Sequence, residues 1–217
     1  MDKSLAEDAA VERLVDGAVE RPAPDRVLII ACGALAREIL ATIDAGGLDH
    51  IDLTCLPALL HNRPGKIPEA VRAAIRKGRE KGYRTIAVGY ADCGTGGLLE
   101  KVCAEEGVEM MAGPHCYAFF SGTEDFLARG DADLDAFFLT DFLARQFETL
   151  IIKGLGIDRH PELKDMYFAH YNRLVFLEQK ADPALEAKAR AAAERLELAF
   201  EKRVTGYGDL ATFVENA

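Results

Sequence analysis

The chain predicts an α/β fold: a parallel sheet of about four strands with helices on both faces, followed by a C-terminal helical region. Three observations predict it. Short apolar runs of strand length alternate with longer segments of helical spacing, which is the pattern of strands joined by crossover helices. Each strand-like run ends in a glycine, a proline or a polar loop. From about residue 134 the alternation gives way to long amphipathic stretches.

Residues 1–25 are Ala/Glu-rich and close on RPAPD, so they read as a short N-terminal helical extension and a Pro-rich linker. RVLIIA (26–31) is a continuous apolar run, and ALAREILATIDAG after it has helical spacing and a glycine stop. HIDLTCL (50–56) predicts a second strand, leading through PALLHNRPGKIP into the helix EAVRAAIRKGREKG. RTIAVGY (84–90) predicts the third strand, DCGTGG a loop, LLEKVCAEEG a helix and VEMMA (108–112) the fourth strand. Together 26–133 form a Rossmann-like core. In 134–217, DAFFLTDFLARQFETLIIKGLG, HPELKDMYFAHYNRLVFLEQ and PALEAKARAAAERLELAFEKR all read as helices packed on that core.

The formal charge of −10 and pI near 5.0 argue against a nucleic-acid partner, which needs a basic face. The acidic start MDKSLAEDAAVERL lacks the basic and apolar regions of a secretory leader, and no apolar stretch reaches the roughly 18 residues of a membrane span. A cytoplasmic location without membrane attachment is therefore expected. There thiols stay reduced, and five cysteines, an odd number, read as buried thiols, ligands or reactive groups rather than disulfides.

The cysteines recur at one kind of place. Loops leaving the carboxyl ends of parallel strands line the ligand crevice of such a sheet. Cys32 leaves the first strand, Cys55 closes the second with His61 in the loop beyond, Cys93 leaves the third, and His115 and Cys116 follow the fourth. Cys103 lies mid-helix and reads as core. Sulfur and imidazole from separate loops are the ligands of a four-coordinate zinc site, so Cys32, His61, Cys93 and Cys116 are the candidate metal ligands. Iron–sulfur or cobalt chemistry suits the same donors. Ordinary packing is the competing explanation, because free cysteine is among the most buried residue types, and it is favoured for Cys55.

Two further loops reach this edge. Gly94, Thr95 and Gly96 lie at a strand-to-helix turn whose amides can receive an anion, although the loop is neither a dinucleotide fingerprint nor a phosphate loop. Asn62 and Arg63, in the loop LHNRPGKIP bounded by Pro57 and Pro68, are placed to face the crevice with His115; a plain surface turn is the alternative. In MYFAHYNRLVF most of the aromatic stripe reads as core, with His170 and Tyr171 able to cover the crevice.

IIACGALAREI, LLHNRPGKIPEAV, IAVGYADCGTGGL and GPHCYAFFSG together resemble the DUF1638 family, with the likeness extending by element order to about residue 180. That family commonly carries an acidic residue where this chain has His115, which favours Cys116 as the ligand. No settled activity accompanies the resemblance. The genomic association of such proteins with corrinoid-dependent methyltransferases implies a place in one-carbon transfer. The leading expectation is thus a zinc-dependent protein of methyl transfer, served by a corrinoid or folate-type one-carbon carrier. A non-catalytic partner of a corrinoid or of a corrinoid protein is the second, and a metal-free thiol enzyme is the third. A small-molecule substrate or a corrinoid protein is the expected partner.

Overall fold

The computed structural model describes residues 24–217; the expected helix in 1–25 falls almost entirely outside them. The described chain divides into two compact units, one built from the residues up to Cys116 together with Leu210–Ala217, the other from Tyr117–Asp209.

The first unit holds a four-stranded, fully parallel sheet in the order β2-β1-β3-β4. β1 (Val27–Cys32) is buried along nearly its whole length, as a central strand covered on both faces must be. β2 (Ile51–Leu56) alternates buried and half-buried residues and lies at an edge. Ala31 of β1 pairs with Cys55 on one side and with Gly89 of β3 (Thr85–Gly89) on the other. β4 is shorter than VEMMA suggests, only Glu109–Met110. The ladder nevertheless continues past it, since Met111, Asp92 and Cys93 donate their amides to Val88, Gly113 and Pro114.

Helices α1 (Ala36–Gly46), α2 (Ile67–Lys81) and α3 (Leu98–Glu106) make the crossovers, and each ends on a left-handed glycine. Arg72, Arg76 and Arg79 of α2 fasten to Glu105 and Glu106 of α3. At the start of the sheet, Arg26 forks onto the Asp52 carboxylate, which also accepts the Tyr83 hydroxyl at 2.7 Å.

The second unit corrects the expectation of an all-helical C-terminal region. It contains a parallel sheet of its own, in the order β5-β6-β7, formed by Ala136–Thr140, Arg173–Glu178 and Ala199–Val204. The physical reason lies in AFFLT and RLVFLE. A buried apolar run of that length has no periodicity to separate strand from helix, and each was absorbed into the helical spacing of its neighbours. β6 is buried almost throughout and occupies the centre. Helices α4 (Cys116–Ser121) and α5 (Thr123–Arg129) precede the sheet. α6 (Asp141–Gln146), continuing into a π-helical turn at Phe147–Lys153, and α7 (Leu163–Phe168) connect β5 to β6, and α8 (Pro183–Leu196) connects β6 to β7.

One face of the second sheet packs Leu139, Leu174 and Phe176 against Ala144, Leu185, Ala189 and Leu196; the other packs Phe138 and Val175 against Tyr117 and Phe126. Arg173 and Arg203 tie Asp133 and Glu201 together, and Arg173 also holds Asp135. The last helix, α9 (Gly208–Glu215), carries the chain back, and its fully buried Leu210 and Val214 belong to the first unit.

Candidate functional site

At the carboxyl edge of the first sheet, register sets the arrangement. Because Ala31 pairs with Cys55 and Gly89, Cys32 stands level with Leu56 and beside Tyr90, the residue that follows β3. Cys32 falls within electrostatic reach of Cys55 and of Cys93, and Tyr90 within reach of all three. Burial pushes the Cys32 thiol up, the Cys55 thiol up to about 12 and the Cys93 thiol up to about 11, with the neighbouring Cys32 adding to the last two. All three are neutral thiols near pH 7. Backbone N–H groups of Ala34, and of Ala91 and Cys116, are directed at the sulfurs of Cys32 and Cys93 and oppose that shift.

Tyr90 is 2% exposed, and its hydroxyl interacts with the Cys32 thiol, a weak acceptor, without reaching the geometry of a regular hydrogen bond among the described residues. Burial and the adjacent thiols hold it protonated.

Cys93 has φ +49°, a left-handed conformation uncommon outside glycine. The paired amides of Asp92 and Cys93 on Gly113 and Pro114 impose it. The loop that follows is organised by Asp92. Its carboxylate accepts the amides of Gly97 at 2.7 Å and of Gly94 and Gly96 at 3.2 Å, and the Thr95 hydroxyl at 2.8 Å. These bonds, the one from Gly97 foremost, hold the Asp92 carboxyl below its ordinary range. The expectation that Gly94, Thr95 and Gly96 offer their donors to an anionic ligand is therefore corrected: the donors are taken, and the centre of the loop is itself negative.

At the rim, His61 lies in the 3-10 turn Ala58–Asn62 and His115 follows Pro114; both residues are exposed. Protein packed about the rings lowers both pKa values, and the two histidines lie close enough that His115 lowers His61 further, while Asp92 partly offsets the shift of His115. Both are neutral imidazoles at pH 7. Asn62 and Arg63 are exposed, and neither side chain makes a hydrogen bond or ion pair among the described residues. Cys116 is half-buried at the start of α4. Cys103 is buried inside α3, with burial the sole influence on its thiol.

The donors present have the chemistry of a zinc site, but among the described residues no three His, Cys, Asp or Glu side chains are grouped to hold an ion. Cys32 approaches Cys93 and, separately, Cys55, for which ordinary packing is the favoured reading, and His61 approaches His115 instead. The four expected ligands do not form one cage. Tyr90 and Asp92 were missed altogether. Asp92 had a signal in DCGTGG, because an aspartate ahead of glycines commonly gathers the turn's amides. Tyr90 had none.

Fold and geometry define a parallel α/β protein with a thiol-rich carboxyl edge on its first sheet. The chain belongs to the DUF1638 family, described as a protein of unknown function, whose model matches residues 55–214. The match covers the second unit as well as the loops of the first, and leaves Cys32 outside it. No curated protein and no solved structure matches the chain.

Proposed function

We propose that this edge receives a corrinoid, free or on its carrier protein, and that the protein acts in corrinoid-linked one-carbon transfer as the partner that holds or escorts it. The observation that supports this reading is the pairing of two neutral, exposed imidazoles, His61 and His115, near soft thiols that form no cage for a bare ion among the described residues. A cofactor that brings its own metal asks the protein for one nitrogen donor, not four ligands. When bound, such a cofactor supplies a cobalt centre able to carry a methyl group. The residues of the chain orient it: His61 or His115 offers an imidazole nitrogen.

The test is titration of the purified protein with hydroxocobalamin, followed by absorbance. A saturable spectral shift that is lost in His61→Ala or His115→Ala and kept in Cys103→Ser is expected. No shift, or the same shift in every variant, overturns the reading. Zinc-dependent methyl transfer is the second reading, favoured by the backbone amides directed at the sulfurs of Cys32 and Cys93, which would stabilise thiolates. One zinc per chain by elemental analysis, lost in Cys93→Ser, would establish it over the first.

A further inference from the structure

A groove of about 310 Å³ lies between the edge strand β2 and helix α2, and the seating of that helix explains it. A Cβ on Gly78 would meet the Leu28 and Ile86 side chains, so the absence of one lets α2 sit directly on β1 and β3. Leu28 pairs with Asp52, and Thr54 and Leu56 share the face of Asp52 by alternation along β2. All three are half-buried on the side where α2 has moved inward. The flank of α2 beside them is cut low by Ala70, Ala73 and Ala74.

The two ends of the groove differ in chemistry. A crossover helix runs against its strands, so Leu56 lies towards Ala70 and Asp52 towards Lys81, as the bond from the Tyr83 hydroxyl to Asp52 confirms. The Leu56 end is apolar. At the other end stand Lys77 and Lys81, one helical turn apart, and neither makes a hydrogen bond or ion pair among the described residues. Arg72, Arg76 and Arg79 of the same helix are by contrast all engaged by Glu105 or Glu106. Asp52, the carboxylate among the lining residues, is already answered by Arg26 and by Tyr83. Carbonyls near the end of α2 that would repel an anion are also occupied, since Gly78 and Arg79 accept the amides of Tyr83 and Gly82. Two ammonium groups at i and i+4 stand about 5–6 Å apart at their roots, a spacing that one carboxylate can bridge. From Asp52 to Leu56 the strand covers roughly 13 Å, the reach of a medium-length alkyl chain. The volume lies at the lower end for ligand sites, about 300–1,000 Å³, and so suits one chain rather than a two-chain lipid.

We propose that this groove binds a single-chain fatty carboxylate, with its alkyl chain along Thr54 and Leu56 against Ala70, Ala73 and Ala74, and its carboxylate between Lys77 and Lys81. The site is independent of the corrinoid reading. The test is calorimetric titration of the full chain with decanoate below its micellar concentration. Saturable binding of one decanoate per chain is expected, with octanoate weaker by about tenfold, because each buried methylene is worth roughly a factor of four. Decanol and decylammonium should bind at least tenfold more weakly than decanoate. Lys77→Gln and Lys81→Gln, both on the surface of α2, should each weaken decanoate by about fivefold or more with unchanged circular dichroism. Ala73→Leu, which narrows the groove, should weaken decanoate and decanol alike. Decanol binding as tightly as decanoate, affinity indifferent to both lysine variants, or association only with anionic phospholipid vesicles would each overturn the proposal.

Discussion

Residue by residue, the edge of the first sheet departs from what stability alone would select, and each departure has a measurable consequence. Removing the Tyr90 hydroxyl removes a buried group whose interaction is with a weak acceptor, the Cys32 thiol, so Tyr90→Phe is expected to change stability by no more than about 1 kcal/mol in chemical denaturation, and a larger loss would show a strong Tyr90–Cys32 bond. Because burial raises Cys55 to about 12 and Cys93 to about 11, both are expected to react slowly with iodoacetamide at pH 8 and to accelerate as pH rises towards those values. Fast labelling of Cys93 at pH 7 would show an activated thiolate instead. The histidines carry the opposite sign. With pKa values below the ordinary 6.5, they stay neutral as pH falls through that value, so imidazole-dependent binding should persist at pH 6.5 and weaken only below it. Sequence placed Cys32, Cys93, His61 and His115 at the right edge, since strand ends can be read from apolar runs. It could not assign partners, because which side chains meet across strands depends on register, and register leaves no mark on any one strand.

At the scale of elements, loops and caps that look interchangeable in sequence do different work. Gly96 has φ +64° and open space around the position of a Cβ, so Gly96→Val strains the backbone without touching a neighbour. We expect it to destabilise by about 1–2 kcal/mol and to leave ligand binding intact, since its amide already serves Asp92. Asp92→Ala frees three amides and a hydroxyl and should lower stability by about 2 kcal/mol. Asp92 has a depressed pKa in the folded protein, so its contribution is present above the ordinary value of 3.8 and is lost as pH falls through the lower folded value. The variant's deficit should therefore shrink in strong acid, and a deficit constant with pH would assign it to packing. Gly208 is of another kind. Its φ is +49° and a Cβ there would collide with the carbonyls of Phe119 and Phe120, so Gly208→Ala should destabilise more than Gly96→Ala. β5 and β6 escaped sequence reading because they are almost wholly buried, and such burial erases the alternation that identifies a strand; β7, half-buried to exposed, was overrun by the helical pattern of α8 before it.

Taken whole, the chain is an alternation of strand and helix carried through twice, with no helix among the described residues long and apolar enough to cross a membrane. The first alternation was legible because its strands are separated by glycine stops and polar loops. The second was hidden by Ala- and charge-rich helices whose pattern overran the short strands between them. The division into units does not follow chain order, because Leu210–Ala217 returns to the unit that the chain left at Cys116. Leu210 and Val214 are fully buried there, and the Phe213 ring lies where a Cβ on Gly89 of β3 would meet it. Deleting 210–217 is therefore expected to speed amide exchange in β1 and β3 of the distant N-terminal sheet, and unchanged protection there would contradict the assignment. The same return path orders events during synthesis. The first sheet leaves the ribosome before the second but lacks its closing helix until residues 210–217 are made, by which point every residue of the second unit has been made. Of the two units the one begun earlier is completed later, and a nascent chain arrested short of residue 210 carries an uncapped apolar surface for as long as the arrest lasts.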